Sequence, residues 1–175
     1  MALTPVQLSY RIVAITMKKH IFLYLLILLL LPQLSFAWQG KVVGVSDGDT
    51  ITVMHAGKGE KIRLYGVDCP EKHQDFGQKA KQFTSNMVYG KTVDVEPVST
   101  DRYGRTVGLV SVNGKSINEE LLKAGLAWVF TRYCDKPCCK QWYKYQEEAR
   151  QRKVNLWSMP NPVPPWEFRR ENHKR

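Results

Sequence analysis
Residues 43–53 read Val43-Gly44-Val45-Ser46-Asp47-Gly48-Asp49-Thr50-Ile51-Thr52-Val53, with apolar residues at alternate positions on both sides of an Asp-Gly pair. Period-two alternation describes a half-buried strand, and Asp-Gly between two such runs is a hairpin signal. The stretch therefore predicts two strands around a turn. A third strand is expected at 60–67, with Ile62 and Leu64 on one face and Arg63 on the other. Two more strands fit 91–97 and 106–112, separated by the turn Asp101-Arg102-Tyr103-Gly104-Arg105.

Helical spacing fills the gaps between these strands. Phe76, Ala80, Phe83 and Met87 line one side of a helix over 75–89 that ends near Gly90. Ser116 can cap a second helix, with Glu119 three residues on, apolar Ile117, Leu121 and Leu122, and Gly125 as its stop. Trp142, Tyr145 and Ala149 mark a third over 138–153, whose closing Arg150, Arg152 and Lys153 suit the negative end of the helix dipole. Beyond Trp157 the prolines at 160, 162, 164 and 165 predict that regular structure fades, with Trp166 and Phe168 pinning the tail to the domain.

The chemistry lies in how acidic and arginine residues share these elements. Asp47, Asp49, Asp68 and Glu71 surround Arg63 in sequence, and Arg105 follows in the next turn. Taken singly, each has an ordinary reading: Asp-Gly makes turns, arginines cover surfaces, Asp101 favours a turn and Glu71 suits a helix start. Taken together, carboxylates that can hold a hard cation and arginines that can grip a phosphate are what metal-assisted phosphodiester cleavage requires. An all-oxygen donor set selects calcium or magnesium over zinc or copper. Calcium is expected because it tolerates irregular geometry with few carboxylates, main-chain carbonyls and water, whereas magnesium demands a near-ideal octahedron.

Charge and targeting agree with such a role. The first 37 residues carry Arg11, Lys18 and Lys19, no acidic residue, the apolar run Ile21–Leu31 and then Ser35-Phe36-Ala37. These features predict a signal peptide cleaved after Ala37, with Met17 a possible true start. Eleven apolar residues fall short of the ~20 that span a bilayer, so no stable membrane association is expected after cleavage. The remaining 138 residues carry a net charge of +7, suited to a polyanionic partner, and match one domain. The expected organisation is a signal peptide over 1–37, a catalytic domain over 38–158 and a proline-rich basic tail over 159–175. The product is expected to be a secreted or periplasmic monomer.

Cys69, Cys134, Cys138 and Cys139 all lie in the exported part, where an oxidising compartment favours disulfides. Three full pairings are possible. Zinc is the alternative for the 134–139 cluster, although no histidine is close and separated two-ligand knuckles are absent. A Cys134–Cys139 bridge would close a short loop restricted by Pro137 and leave Cys138 free to reach Cys69, while adjacent Cys138 and Cys139 would form a strained ring.

The ordered set Asp47-Gly48-Asp49-Thr50, Arg63, Val67-Asp68-Cys69-Pro70-Glu71 and Asp101-Arg102-Tyr103-Gly104-Arg105 resembles the staphylococcal-nuclease family. The resemblance extends from about Val42 to Trp157 through Gly114–Glu119, Ala124–Ala127 and Asn155–Ser158. It implies an α+β OB-fold, a five-stranded β-barrel with three helices. It further implies that Asp49, Asp68 and the main-chain carbonyl of Cys69 bind calcium, with Asp47 nearby. Arg63 and Arg105 would bind phosphate, and Glu71 would orient or deprotonate the attacking water. The implied substrates are DNA and RNA, cleaved to 3′-phosphorylated products. The sequence departs from the family pattern at Cys69, where the family has threonine, and at Thr131, where it has the first of two nucleotide-contacting tyrosines. Only Tyr133 matches, so stacking could fall to Trp128 or Phe130. The rival function is a noncatalytic OB-fold that binds nucleic acid, which would show losses at the acidic and arginine positions. All those positions are intact here.

Overall fold
The computed structural model describes residues 37–172, so the expected signal segment, apart from Ala37, lies outside the described residues. Eight strands form: β1 (Trp38–Asp47), β2 (Thr50–His55), β3 (Lys58–Leu64), β4 (Val67–Asp68), β5 (Thr92–Thr100), β6 (Thr106–Val112), β7 (Lys115–Ser116) and β8 (Trp128–Val129). The main sheet runs β3-β2-β1-β5-β6-β7, and a parallel pairing of β3 with β6 closes β1, β2, β3, β5 and β6 into a barrel. Closure leaves no open edge between the five long strands.

Strand β1 makes closure possible by serving two partners in succession. Trp38–Lys41 pair with β5, whereas Val42–Asp47 pair with β2 through two register shifts. Such shifts bend a strand and re-aim its side chains. The first shift lies between Val42 and Gly44, which accounts for Val42 being buried while Val43 is 44% exposed. Strict alternation through Val43 therefore does not describe this strand. Ile51, Val53, Ile62, Leu64, Val93, Val95 and Val110 fill the barrel interior.

Among the described residues four α-helices form, one more than the sequence pattern predicts there: α1 (Gly77–Val88), α2 (Ile117–Lys123), α3 (Cys138–Gln151) and α4 (Pro165–Asn172). The buried face of α1 is Gly77, Ala80, Thr84 and Val88, with Phe83 and Met87 only partly buried beside it. Phe76 is not on the helix; it precedes it with φ of 66°, so the expected apolar stripe is rotated. Ser116 caps α2, its hydroxyl accepting from the Glu119 amide at 3.4 Å. Asn118 on α2 is buried, accepts from the Val110 amide and donates to the Tyr65 carbonyl, stitching that helix to the barrel.

The expectation that regular structure ends at Trp157 is corrected by a 3₁₀ turn over Asn155–Ser158 and by α4. Prolines 160–164 separate the two rather than abolish the second, because Pro165 occupies the first helical position, where no amide donor is needed. Trp166 does pin this segment, stacking on Phe130 with ring centres 5.5 Å apart.

Cys134 and Cys139 form a disulfide, while Cys69 and Cys138 are free thiols. The expected bridge in the 134–139 cluster is present, and the Cys69–Cys138 link is not. The Tyr65 hydroxyl donates to Asp135 and accepts from the amides of Asp135 and Lys136, tying the disulfide loop to the end of β3.

Candidate active site
The site begins with a turn that comes unusually close to its surroundings. A Cβ on Gly48 would approach Ala80 and Cys69 to 2.8 Å, so the β1–β2 turn lies against α1 and the segment after β4 only because glycine stands there. The Thr84 hydroxyl holds the turn from the helix side by donating to the Gly48 carbonyl at 2.6 Å. From the sheet side, the Leu64 amide donates to the Asp49 carbonyl at 2.8 Å. Asp49 is thereby buried, with 1% of its surface exposed.

Thr50 is the direct β-partner of Arg63, which brings the Asp49 carboxylate to the base of the Arg63 side chain. The guanidinium donates one Nη to Asp49 Oδ1 and the other to Asp68 Oδ1, the latter at 2.6 Å. Asp68 arrives fully buried because β4 pairs with β8, Asp68 opposite Trp128. The Cys69 amide completes the arrangement by donating to Asp49 Oδ2 at 2.6 Å, and the Asp47 carboxylate accepts from the Asp49 amide. Arg63 thus bridges two acids that sequence order separates by 19 positions.

Burial pushes the Asp49 carboxyl well above the ordinary carboxylate range, with Asp47 and Asp68 adding to the rise and Arg63 opposing it. The same acids hold the Arg63 guanidinium more firmly protonated than usual against the cost of its burial. Asp47, Asp49 and Asp68 crowd Arg63 in a place water reaches poorly. Such a place gains from a further cation.

Glu71 stands at the rim, three residues past Asp68, with a side chain 38% exposed. Its loop is pressed against the start of α1, where a Cβ on Gly77 would meet the Glu71 carbonyl at 1.9 Å. The Gln74 side chain caps the loop, accepting from the Glu71 amide at 3.2 Å. Arg105 is placed differently. Its neighbour Thr106 pairs with Ile62 on β3, so the turn lies alongside the strand that carries Arg63. The Arg105 side chain, however, is held by Asp101, with Nε donating to Oδ2 at 2.7 Å. Asp49, Arg63 and Asp68 are bonded together, Glu71 follows Asp68 in the next loop, and Arg105 is held on a separate pair.

Sequence reasoning missed Arg169. From α4 it donates to Asp68 Oδ2 at 2.7 Å, to Asp68 Oδ1 at 3.2 Å and to Glu71 Oε1 at 2.6 Å. The signal was present: Pro165 at a helix start, Glu167 in the first turn and Arg169-Arg170 in the last form a short helix with dipole-matched charges. Among the aromatic candidates, Tyr133 is 54% exposed and meets Phe130 edge to face. Trp128 is buried against Trp157, which withdraws it from any stacking role. The Cys69 thiol is also withdrawn: burial, reinforced by Asp49, pushes its pKa up, so the reactive thiolate is disfavoured beside the acids.

The donor set suits a hard cation. Asp49 and Asp68 carry the carboxylate oxygens a hard cation takes, held here by Arg63, Arg169 and the Cys69 amide, and a neighbouring main-chain carbonyl and water could complete a shell. Among the described residues, no three His, Cys, Asp or Glu side chains converge as a ready-made cage.

A closed five-stranded barrel that sets buried carboxylates around an arginine, in a chain of net positive charge, defines a phosphodiester-cleaving OB-fold protein. Comparison with known proteins supports the assignment. Residues 61–159 match the family model described as staphylococcal nuclease homologue. An uncharacterized endonuclease of Escherichia coli O157:H7 is 44% identical over 154 residues, covering 87% of this chain and 98% of the relative. A micrococcal nuclease of Shigella flexneri is 38% identical over 146 residues, covering 77% and 83%. A staphylococcal-like nuclease of Arabidopsis thaliana is 42% identical over 110 residues, covering 63% of this chain and 33% of the relative. The chain belongs to the staphylococcal nuclease family and is a nuclease, whose substrate is nucleic acid. Nucleases of this family generally depend on a metal ion.

Proposed function
We propose that the protein is an exported, calcium-dependent nuclease that hydrolyses DNA and RNA with little sequence preference and leaves 3′-phosphate ends. The observation that carries this reading is the bridging of buried Asp49 and Asp68 by Arg63, with Glu71 three residues along the chain from Asp68. Asp49, Asp68 and the Cys69 carbonyl are the groups that would hold calcium. Bound there, the ion would supply positive charge for the phosphate and its developing transition state.

The chain's own residues do the rest. Arg63 presents a planar, permanently charged fork to the non-bridging phosphate oxygens, and Arg105 closes on them once it leaves Asp101. Each stabilises charge that grows as the nucleophile attacks. Glu71, exposed at the rim, holds a water in line with the scissile bond and takes up its proton at a carboxylate oxygen. Tyr133 offers an exposed aromatic face to a neighbouring base, a contact that tolerates any sequence, while Phe130 beside it is stacked on Trp166. The protein acts as a monomer, free of the membrane once its signal is removed.

Purified protein incubated with single-stranded DNA, duplex DNA and RNA, with calcium or with chelator, tests the reading. Calcium-dependent cleavage leaving 3′-phosphate ends is expected from all three. Undiminished cleavage by protein shown to be metal-free by elemental analysis would overturn the metal-assisted mechanism.

A further inference from the structure
Asp68 cannot serve a metal ion while it is bound as it is here. Its Oδ1 accepts from both Arg63 and Arg169, and its Oδ2 accepts from Arg169. The same Arg169 guanidinium also takes Oε1 of Glu71, the atom class a water would have to meet. One side chain from the C-terminal helix therefore covers both the proposed cation ligand and the proposed water-positioning group.

The rest of α4 is held lightly. Within the helix only Pro165 is buried. Trp166 stacks on Phe130 and packs against the cluster of Trp128, Leu156 and Trp157, and just before the helix the exposed Gln74 side chain donates to the Val163 carbonyl at 2.6 Å. The connection from Met159 to Pro164 contains three prolines and forms no helix or strand, so it can reorient without breaking a ladder of backbone bonds. The Arg169 grip on the site, beside the packing of the one side chain Trp166, describes a segment fastened in large part by the acids it neutralises.

We propose that α4 is a strap that closes the active site, with Arg169 as a built-in cation that calcium must displace from Asp68. The strap rests on the reading of Asp49 and Asp68 as the calcium site. It makes the enzyme self-restrained: when calcium is scarce the guanidinium occupies the carboxylates, and when calcium is abundant the ion takes Asp68, α4 lifts and Glu71 is freed. It also couples calcium to the aromatic face, because lifting α4 removes Trp166 from Phe130 and exposes that ring beside Tyr133.

The test measures calcium binding alone, by titration calorimetry without nucleic acid, for the wild-type protein, Arg169→Gln and Trp166→Ala. A strap closed in about nine molecules of ten weakens apparent binding about tenfold, so both variants should bind calcium about tenfold more tightly than wild type. Hydrogen exchange over 163–172 in wild-type protein should accelerate when calcium is added. Unchanged or weaker binding in Arg169→Gln, with calcium still bound by all forms, overturns the strap and leaves the calcium site standing. Tighter binding in Arg169→Gln but not in Trp166→Ala also overturns it, because Arg169 would then act as a local charge rather than through a moving helix. So does unchanged exchange over 163–172. Failure of every form to bind calcium overturns the site and the strap together.

Discussion
Arg63 and Arg105 are the same residue type with the same proposed task, yet they are held in opposite ways. Arg63 rises from strand β3 on the face opposite the barrel interior, its side chain 18% exposed, between carboxylates that are 1% and 0% exposed. Arg105 sits in a turn, paired four residues back to Asp101, with side chains 28% and 19% exposed. The first pair is part of the fold, since removing the arginine would strand acids where water cannot solvate them. The second is a resting place from which the arginine can leave at little cost. The difference separates a group that is positioned before substrate arrives from one that is delivered when it does.

The comparison is most exposed to Arg63→Met. Removing the guanidinium should cost about 3–5 kcal/mol of stability in chelator, read by urea denaturation, because Asp49 is left buried and short of a counter-charge. A loss below ~1 kcal/mol would erase the distinction between the two arginines. Arg105→Lys provides the contrasting case. Turnover should fall by ~10²-fold or more for want of the planar fork, while denaturation midpoints shift by less than the equivalent of ~1 kcal/mol. A large stability loss there would show Arg105 to be as embedded as Arg63.

Thr84→Val sharpens the comparison by removing a support that the Arg105 turn lacks. The Gly48 carbonyl loses its buried hydroxyl donor, which should cost ~1–3 kcal/mol by urea denaturation and slow turnover by loosening Asp49. The smallest effect concerns pH. Burial alone would raise the Asp101 carboxyl, but the Arg105 amide and guanidinium, helped by the Tyr103 amide, hold it below the ordinary aspartate value of 3.8. A depressed carboxylate contributes stability that is present above that value and is lost as pH falls through the lower folded value. Proton resonances of the Tyr103 and Arg105 amides should therefore shift only under strongly acidic conditions, and should lose that titration in Asp101→Asn.

Much of the fold and site was legible because its signals are local. Alternation around Asp47-Gly48 marked the hairpin, and Ser116 with Glu119 marked the start of α2, since each depends on hydrogen bonds formed within a few residues. The acidic and arginine set was legible as chemistry because its members flank turns and strand ends. Less visible were features set by a partner distant in sequence. Thr84 looked like an ordinary polar helix residue until Gly48 was seen against it, and the rotated face of α1 follows from a left-handed Phe76 that helical spacing does not reveal. The register shift that buries Val42 instead of Val43 is of the same kind: it comes from β1 passing between two partner strands.

By itself, the sequence determined the strand and helix order of the barrel, the choice of Asp49, Arg63, Asp68, Glu71 and Arg105 as candidates, and a bridge within the 134–139 cluster. These rest on periodicity, capping, charge and short loop closure, all of which act along the chain. The tertiary structure alone decided that Arg63 is a buried bridge while Arg105 rests on Asp101, that Cys69 and Cys138 remain apart, and that Arg169 returns across about 100 residues to Asp68 and Glu71. Those outcomes depend on which surfaces the closed barrel leaves for its last helix, and burial turns a charge from a solvated ornament into a partner that must be matched.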